Sequence, residues 1–399
     1  MEAGAIRSIK NNEGKRAQDM GTQDKKLKEH FARKGTVTSS DRYADYSSEA
    51  DDRIISSKTS EFYFACRNGN VAKVSAFLEN MTPDDIDQVR SNGSTALHVA
   101  CFFNHYSIVE MLLRAGASRA IKNKYSCVPY EETNNPKIKS LFKRILGNNR
   151  FVGDSGKIEW ILVTPYVSET AAAEHHALKF YANSSLEELT NRVKNYYLNT
   201  ELKNIDRVDQ VLYFFQQAID KGDPEYIIKA YTAETGFYSR LNRDLACGAT
   251  TGRYERQYIV GIMIFHPIFE KYSYVGNTYR GMKMTDEDLQ CYKIGTSIMT
   301  KSFLSTTKEK QTAENFARGT TTRSNLTGDI LKFSAFCTYI IKHKRTALAI
   351  EDVSEYQDEK EVLIMPYAVF TVKSTTRPSS QSSNEIIHIV LEETKSFAE

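Results

Sequence analysis

The chain has no apolar run long enough to cross a bilayer. The longest, Ile259 to Phe265, covers seven positions, whereas a helical span needs about 20. Its opening residues, MEAGAIRSIKNNEGKRAQD, lack the apolar stretch of a secretory leader. No two of the six cysteines (Cys66, Cys101, Cys127, Cys247, Cys291, Cys337) lie within four residues of each other, which excludes a zinc knuckle or CxxC redox pair. They read as reduced, mostly buried thiols of a cytoplasmic protein, and no metal site is expected. Charge of one sign is scarce too. Lys+Arg 53 against Asp+Glu 50 leaves a net charge of +3, too little to make nucleic acid or a membrane the main partner. Neither G-x-G-x-x-G nor G-x-x-x-x-G-K-[ST] occurs, so a Rossmann or P-loop route to a nucleotide is not expected. There is no Gly-X-Y period and no sustained heptad. There is one Trp, but 23 Tyr and 20 Phe can build aromatic cores and stacking sites.

What remains is the composition of a globular protein, 41% hydrophobic and 26% charged over 399 residues, with room for two or three domains. Residues 1–57 form a polar tail: the first fifty hold ten Lys/Arg and eight Asp/Glu, too few apolar groups to offset the entropy of ordering. Residues 58–145 repeat themselves. EFYFACRNGNVAKVSAFLEN and TALHVACFFNHYSIVEMLLRAGA align with Ala65-Cys66 on Ala100-Cys101 and Val74 on Val109, and a weaker third copy places Thr95-Ala96 on Val128-Pro129. Each copy reads as a short helix, a turn at Asn68-Gly69 or Asn104-His105, a second amphipathic helix and a hairpin. This layout resembles ankyrin repeats. Gly93-Ser94-Thr95-Ala96-Leu97-His98 stands where that family has G-x-T-P-L-H, which implies that His98 is a structural histidine bonding between hairpins. Two to three repeats bury little core, so the module is expected to dock on the rest of the chain or on a protein partner.

Residues 146–204 read as a connecting region. Ile158–Val163 is a candidate strand. Ala171–Leu202 is helical, with a break at Asn183-Ser184-Ser185 where a serine can cap the second half. Residues 205–393 run from helices into strands, the pattern of an α+β domain, and 394–399 are a tail. VDQVLYFFQQAID carries apolar residues at 208, 211, 212, 215 and 219, a helical stripe, and PEYIIKAYTAETGFYSRLNRDLA continues as helix. YIVGIMIF, NTYRGMKM, SFLSTT, DILKFSAF, EVLIMPYAVFTVK and EIIHIVLE read as strands.

Three motifs of this last domain carry candidate chemistry. Tyr279-Arg280-Gly281, at a strand end, offers a permanently charged fork suited to phosphate, with a glycine that lets a ligand approach the backbone. Phe303-Leu304-Ser305-Thr306-Thr307 is a hydroxyl-bearing strand. Glu359 and Glu361, two apart on an extended segment, point to one face, where two like charges repel unless a cation or a chemical task holds them. Taken alone, the first motif reads rather as a surface arginine beside a turn and the second as hydroxyls bonded to backbone, while the glutamate pair is equally a solvated charge run.

Their order and spacing resemble the R-S-E mono-ADP-ribosyltransferases. Ile227-Ile228-Lys229-Ala230-Tyr231-Thr232 followed by Tyr238 and Asn242 is similar to that family's A-Y-T…Y…N segment. Phe303 to Thr307 with Ala313 and Phe316 is similar to its F-x-S-T-S…A…F run. Glu359 to Phe370 is similar to E-x-E-V-L-I-P-P-F-x-V-F, with Met365 for the first Pro, and Thr307 replaces the last Ser of S-T-S. The resemblance implies an NAD cleft between two small packed β-sheets behind a helical part. It implies that Arg280 grips the NAD phosphates or adjoining ribose, and that Ser305 positions Glu361. Glu361 would bond the nicotinamide-ribose hydroxyl and stabilise the oxocarbenium-like state, and Glu359 would orient an acceptor guanidinium. Tyr279, Gly281, Thr306 and Phe316 would adjoin the dinucleotide, although Phe316 is equally a core residue, and Tyr356 could touch the acceptor or pack locally. The implied activity is transfer of ADP-ribose from NAD, with NADP as a possible second donor, to an arginine of an acceptor protein chosen through the repeats. NAD glycohydrolysis and an inactive ankyrin scaffold are the alternatives.

Overall fold

The computed structural model describes Tyr46 and residues 57–143, 152–153, 159–181, 184–247, 255–319, 333–376 and 386–395. The chain divides into two compact units, Met1–Lys143 and Arg144–Glu399. Apart from Tyr46 and Ser57, the polar tail read over 1–57 lies outside the described residues, as does 396–399.

The first unit is a stack of helix pairs: α1 (Ser57–Arg67), α2 (Val71–Leu78), the short α3 (Pro83–Ile86), α4 (Ala96–Phe102) and α5 (Tyr106–Arg114). The third copy shrinks to a 3-10 turn at Pro129–Glu132 and α6 (Pro136–Leu141). The turns foreseen between paired helices are built by left-handed residues, Gly69 at φ 74° and Asn104 at φ 60°, since Asn tolerates this region better than other side chains. A Cβ on Gly69 would fall 2.8 Å from the His105 ring, and His105 Nε2 donates to Arg67 O at 2.8 Å, joining the first two copies. His98 is fully buried. Its Nδ1 accepts from Thr95 N at 3.1 Å and its Nε2 donates to Cys127 O at 3.1 Å in the next hairpin. Tyr46 belongs to this unit: its ring lies 4.6 Å from Phe102.

The second unit opens with β1 (Val152–Gly153), β2 (Trp160–Leu162), α7 (Pro165–Tyr181) and α8 (Leu186–Val193). Ser185 caps α8, accepting from Glu188 N at 3.1 Å. Then come α9 (Val208–Asp220), α10 (Glu225–Thr232), α11 (Phe237–Ala246) and α12 (Glu255–Phe265). The buried stripe of α9 is Val211, Phe214, Phe215 and Ala218, rotated slightly from the positions the sequence suggested. The YIVGIMIF strand is a correction: these residues form α12. Every residue from Arg256 to Ile264 is buried, so no exposed face marks a helical period, and a short apolar run of this kind cannot be told from a strand by periodicity.

The remainder is β-rich: β3 (Gly276–Met284), α13 (Asp286–Gln290), β4 (Ser297–Thr300), β5 (Leu304–Thr307), α14 (Lys310–Gly319), β6 (Phe333–Ile341), β7 (Ala347–Ala349), β8 (Glu361–Ile364), β9 (Val369–Thr376) and β10 (Ile387–Lys395). The strand order is β2-β4-β9-β10-β6-β3-β5-β8-β7, with β1 beside β3. The β10–β6 and β1–β3 pairs are parallel and the rest antiparallel. The β3–β5 link rests on one residue pair, Tyr279↔Thr307, the narrowest pairing in an otherwise continuous sheet. Side-chain alternation on β5 and β8 separates two cores. Leu304, Val362 and Ile364 join Met282, Ile298 and Phe370, while Leu363 joins Phe303, Tyr231, Phe237 and Ile259 on the helical side.

Candidate active site

The three motifs meet where β3, β5 and β8 lie side by side. Arg280 sits in the middle of β3, not at its end, opposite Cys337 on β6. The residue is 3% exposed. Nη1 donates to Ser305 O and Nη2 to Glu159 Oε1, both at 2.6 Å. Burial disfavours its charge, but Glu159 and the hydroxyls of Tyr339, Tyr238 and Tyr231 outweigh that and raise it above the usual guanidinium value. The adjacent Cys337 thiol is pushed up to about 12 by burial, which removes it as a nucleophile.

Register places the other groups. Ser305 stands opposite Leu363 and Thr307 opposite Glu361. Ser305, Thr307, Glu361 and Leu363 therefore share one face, with Ser305 and Glu361 as diagonal neighbours, a relation that puts Cα atoms about 7–8 Å apart. Both side chains are buried. Thr306 points the other way. Its hydroxyl donates to Val362 O at 2.5 Å and accepts from Thr278 Oγ1 at 2.6 Å, tying β3, β5 and β8 together. Thr307 Oγ1 donates to Glu359 O at 2.7 Å.

The extended reading of the Glu pair is a correction. Glu359 closes a 3-10 turn, Gln357–Glu359, and Glu361 begins β8. Lys360 between them is left-handed, at φ 45°, so the backbone swivels and the strand alternation rule does not apply to the pair. Glu359 is buried against the turn while Glu361 is fully enclosed in the strand face.

Tyr279 stacks on Phe336 at 5.6 Å. At Gly281 the close approach comes from α14: a Cβ there would lie 2.9 Å from Ala317 N and 3.0 Å from Ala313 O. The backbone of Phe316 belongs to α14, but its side chain lies outside the described residues. Tyr356 is buried, with its N–H bonded to Ser354 Oγ at 3.0 Å.

The helical motif converges on the same place. Asn242 Nδ2 donates to Tyr231 OH at 2.9 Å, and Tyr231 packs 5.4 Å from Phe303. Thr232 Oγ1 accepts from Glu355 N at 3.0 Å, anchoring the loop that leads to Glu359. Two participants carry no sequence signal. Glu159 is a lone carboxylate in an apolar stretch, and Lys360 belongs to a type that gives no hint of left-handed backbone.

Comparison with known proteins gives matches in both units of the chain. Residues 222–396 match the family model described as NAD:arginine ADP-ribosyltransferase, and residues 46–123 match that for ankyrin repeats in three copies. Oxysterol-binding protein-related protein 1 of Rattus norvegicus is 30% identical over 148 residues, 33% of this chain and 14% of its own length, so the chain spans only about a seventh of that relative. Among solved structures, Exoenzyme S from Pseudomonas aeruginosa is 19% identical over 53% of this chain and 89% of its own, with a TM-score of 0.35. The Vis toxin, an ADP-ribosyltransferase from Vibrio splendidus, is 16% identical over 59% and 88%, with a TM-score of 0.33. Among the described residues no helix is long and apolar enough to cross a membrane. The chain thus carries ankyrin repeats followed by a domain of the NAD:arginine ADP-ribosyltransferase family.

Proposed function

We propose that this protein transfers ADP-ribose from NAD to an arginine side chain of an acceptor protein, releasing nicotinamide. The observation that supports it best is the register that sets Ser305 and Glu361 on one face of adjacent strands, with Arg280 bonded to the Ser305 carbonyl behind them. The donor set suits a dinucleotide: a fixed positive charge for the phosphates, and a hydroxyl and a carboxylate for ribose.

Glu361 bonds the nicotinamide-ribose hydroxyl and faces the positive charge that develops as the glycosidic bond lengthens. A preorganised carboxylate in a water-poor site stabilises such a state strongly. Ser305 positions Glu361. Arg280 lends its charge to the phosphates and holds the strand that carries Ser305; Tyr279 and Phe316 are the dinucleotide neighbours in this reading, whereas Thr306 is taken up in tying the strands and Gly281 in admitting α14. Glu359 orients the acceptor guanidinium and takes its proton as the new C–N bond forms, since a protonated guanidinium is a poor nucleophile. Nicotinamide leaves neutral with the electron pair of the broken bond. The ankyrin unit selects the acceptor. NADP could replace NAD as donor. A cytoplasmic location belongs to the same reading, and six free thiols are compatible with it.

The test is turnover of NAD with and without agmatine as the arginine surrogate, scoring free nicotinamide and ADP-ribosyl-agmatine. Transfer that both Glu361→Gln and Glu359→Gln abolish establishes the reading. Nicotinamide release that ignores agmatine and survives Glu359→Gln refutes the arginine acceptor in favour of hydrolysis. Absence of both turnover and NAD binding refutes the enzyme altogether and leaves an ankyrin scaffold.

A further inference from the structure

Among the described residues Arg280 is held from two sides, and one of those sides lies well outside the stretch that matches the transferase family. Glu159 precedes β2, more than sixty residues before the match begins at 222. Its carboxylate meets Arg280 Nη2 at 2.6 Å, with the two side chains 22% and 4% exposed. A guanidinium this deeply enclosed needs a matched anion, because an uncompensated buried charge is strongly disfavoured.

The backbone that carries this carboxylate is itself fixed. Lys301 N donates to the Glu159 carbonyl at 2.8 Å, and the next residue, Trp160, pairs with Thr300 of β4. The Trp160 ring is buried 5.0 Å from that of Tyr292. The segment after Thr300 runs directly into β5, whose Ser305 carbonyl takes Arg280 Nη1. Glu159, Arg280, Ser305 and Lys301 therefore form a closed ring joining the start of β2, the middle of β3 and the β4–β5 connection. A backbone held in the sheet on one side and a buried guanidinium on the other suit a brace.

We propose that Glu159 is a positioning residue for the active site, acting through Arg280 on the strand that carries Ser305. The inference rests on the transferase reading above. Its consequence is that the functional unit extends upstream of the family match to include the connecting region, to which the sequence assigned no role.

The experiment uses the full chain and three variants, Glu159→Gln, Glu159→Asp and Glu159→Ala. Each is assayed with NAD and agmatine well below its melting midpoint, with kcat and KM separated. Gln keeps an acceptor atom but removes the charge, and Asp keeps the charge one methylene short. The expected result is a loss in kcat on the order of 10²-fold for Gln and Ala, the scale at which small misplacements act, with KM for NAD changed far less. Asp is expected to fall between Gln and the wild type. Should Gln and Ala fail to fold, Asp decides: an intermediate kcat supports the brace, and a wild-type kcat overturns it. Folded Gln and Ala proteins with wild-type kcat and only a lowered melting midpoint also overturn it, reducing Glu159 to a structural counter-ion. Those outcomes leave wild-type turnover intact, whereas absence of wild-type turnover overturns the transferase reading and this proposal together.

Discussion

Gly281→Ala is the sharpest test of how the site strand is packed. An ideal Cβ at this position falls 2.9 Å from Ala317 N, 3.0 Å from Ala313 O and 3.1 Å from Ala317 Cα. All three are backbone atoms of α14, so relief requires moving the helix or β3 itself, which inserting a methyl into a packed interior makes cost about 1–3 kcal/mol. Restricting the unfolded chain returns about 0.4–1 kcal/mol. The net loss is then centred on about 1.3 kcal/mol and reaches at most about 2.6 kcal/mol, a fall of about 3–5 °C at the centre and up to about 10 °C in melting midpoint for a unit of this size. Arg280 is the preceding residue, and its two 2.6 Å bonds leave no slack for a strand shift, so kcat falls with stability. The assay is thermal denaturation with and without NAD, beside steady-state transfer to agmatine. An unchanged melting midpoint with NAD binding lost would refute the packing argument, and would mean that the open side of Gly281 faces the ligand instead of α14.

Other outcomes follow from the same geometry. Burial lowers His98 to about 4, so between pH 6.5 and 4 the unfolded chain binds a proton that the folded repeats refuse. Stability of the ankyrin unit therefore falls on acidification through that window, by on the order of 3 kcal/mol; pH-dependent denaturation of wild type against His98→Asn shows whether this share disappears. Thr232→Val leaves the buried Glu355 N–H without its acceptor, a loss of about 1–3 kcal/mol. It should lower transfer to agmatine more than NAD binding, and equal losses in both would contradict the anchoring role. At Lys360, with φ 45°, Val costs about 1–2 kcal/mol relative to Gly. Comparing the melting midpoints of Lys360→Gly and Lys360→Val measures that gap, and equal midpoints would argue against the swivel.

Much of this site was legible because its chemistry travels in short strings. β3 and β5 follow the predicted strands, and Ser185 caps α8 where a serine was expected. The single strand expected over EVLIMPYAVFTVK is a correction, because it breaks at residues 365–368 into β8 and β9. What escaped was whatever depends on distant partners. α12 shows no period because it is buried all round. The third repeat kept its spacing but lost a full first helix, since Pro129–Glu132 forms only a 3-10 turn. Glu159 acquires its role from the β2–β4 register, a pairing across some 140 positions that local sequence does not encode.

Thr307 shows how the two glutamates become different groups despite lying two residues apart. In an extended segment Glu359 and Glu361 would share one face and one environment, and two enclosed carboxylates side by side repel. Thr307 prevents this from opposite β8. Its backbone pairs with Glu361, which keeps that residue in the ladder, and its hydroxyl takes the carbonyl of Glu359 at 2.7 Å, which holds that residue in the turn. The same hydroxyl accepts from Glu309 N at 3.1 Å, so the start of α14 is secured by the same atom. Lys360 absorbs the change of direction in its left-handed backbone. The family's last S-T-S serine can be threonine here because what the position requires is one hydroxyl with both a donor and an acceptor task, and threonine supplies it with a methyl that stiffens χ1. One residue on β5 thereby gives the two carboxylates the different settings that their proposed tasks require, on a strand that Arg280 grips two positions earlier, at Ser305.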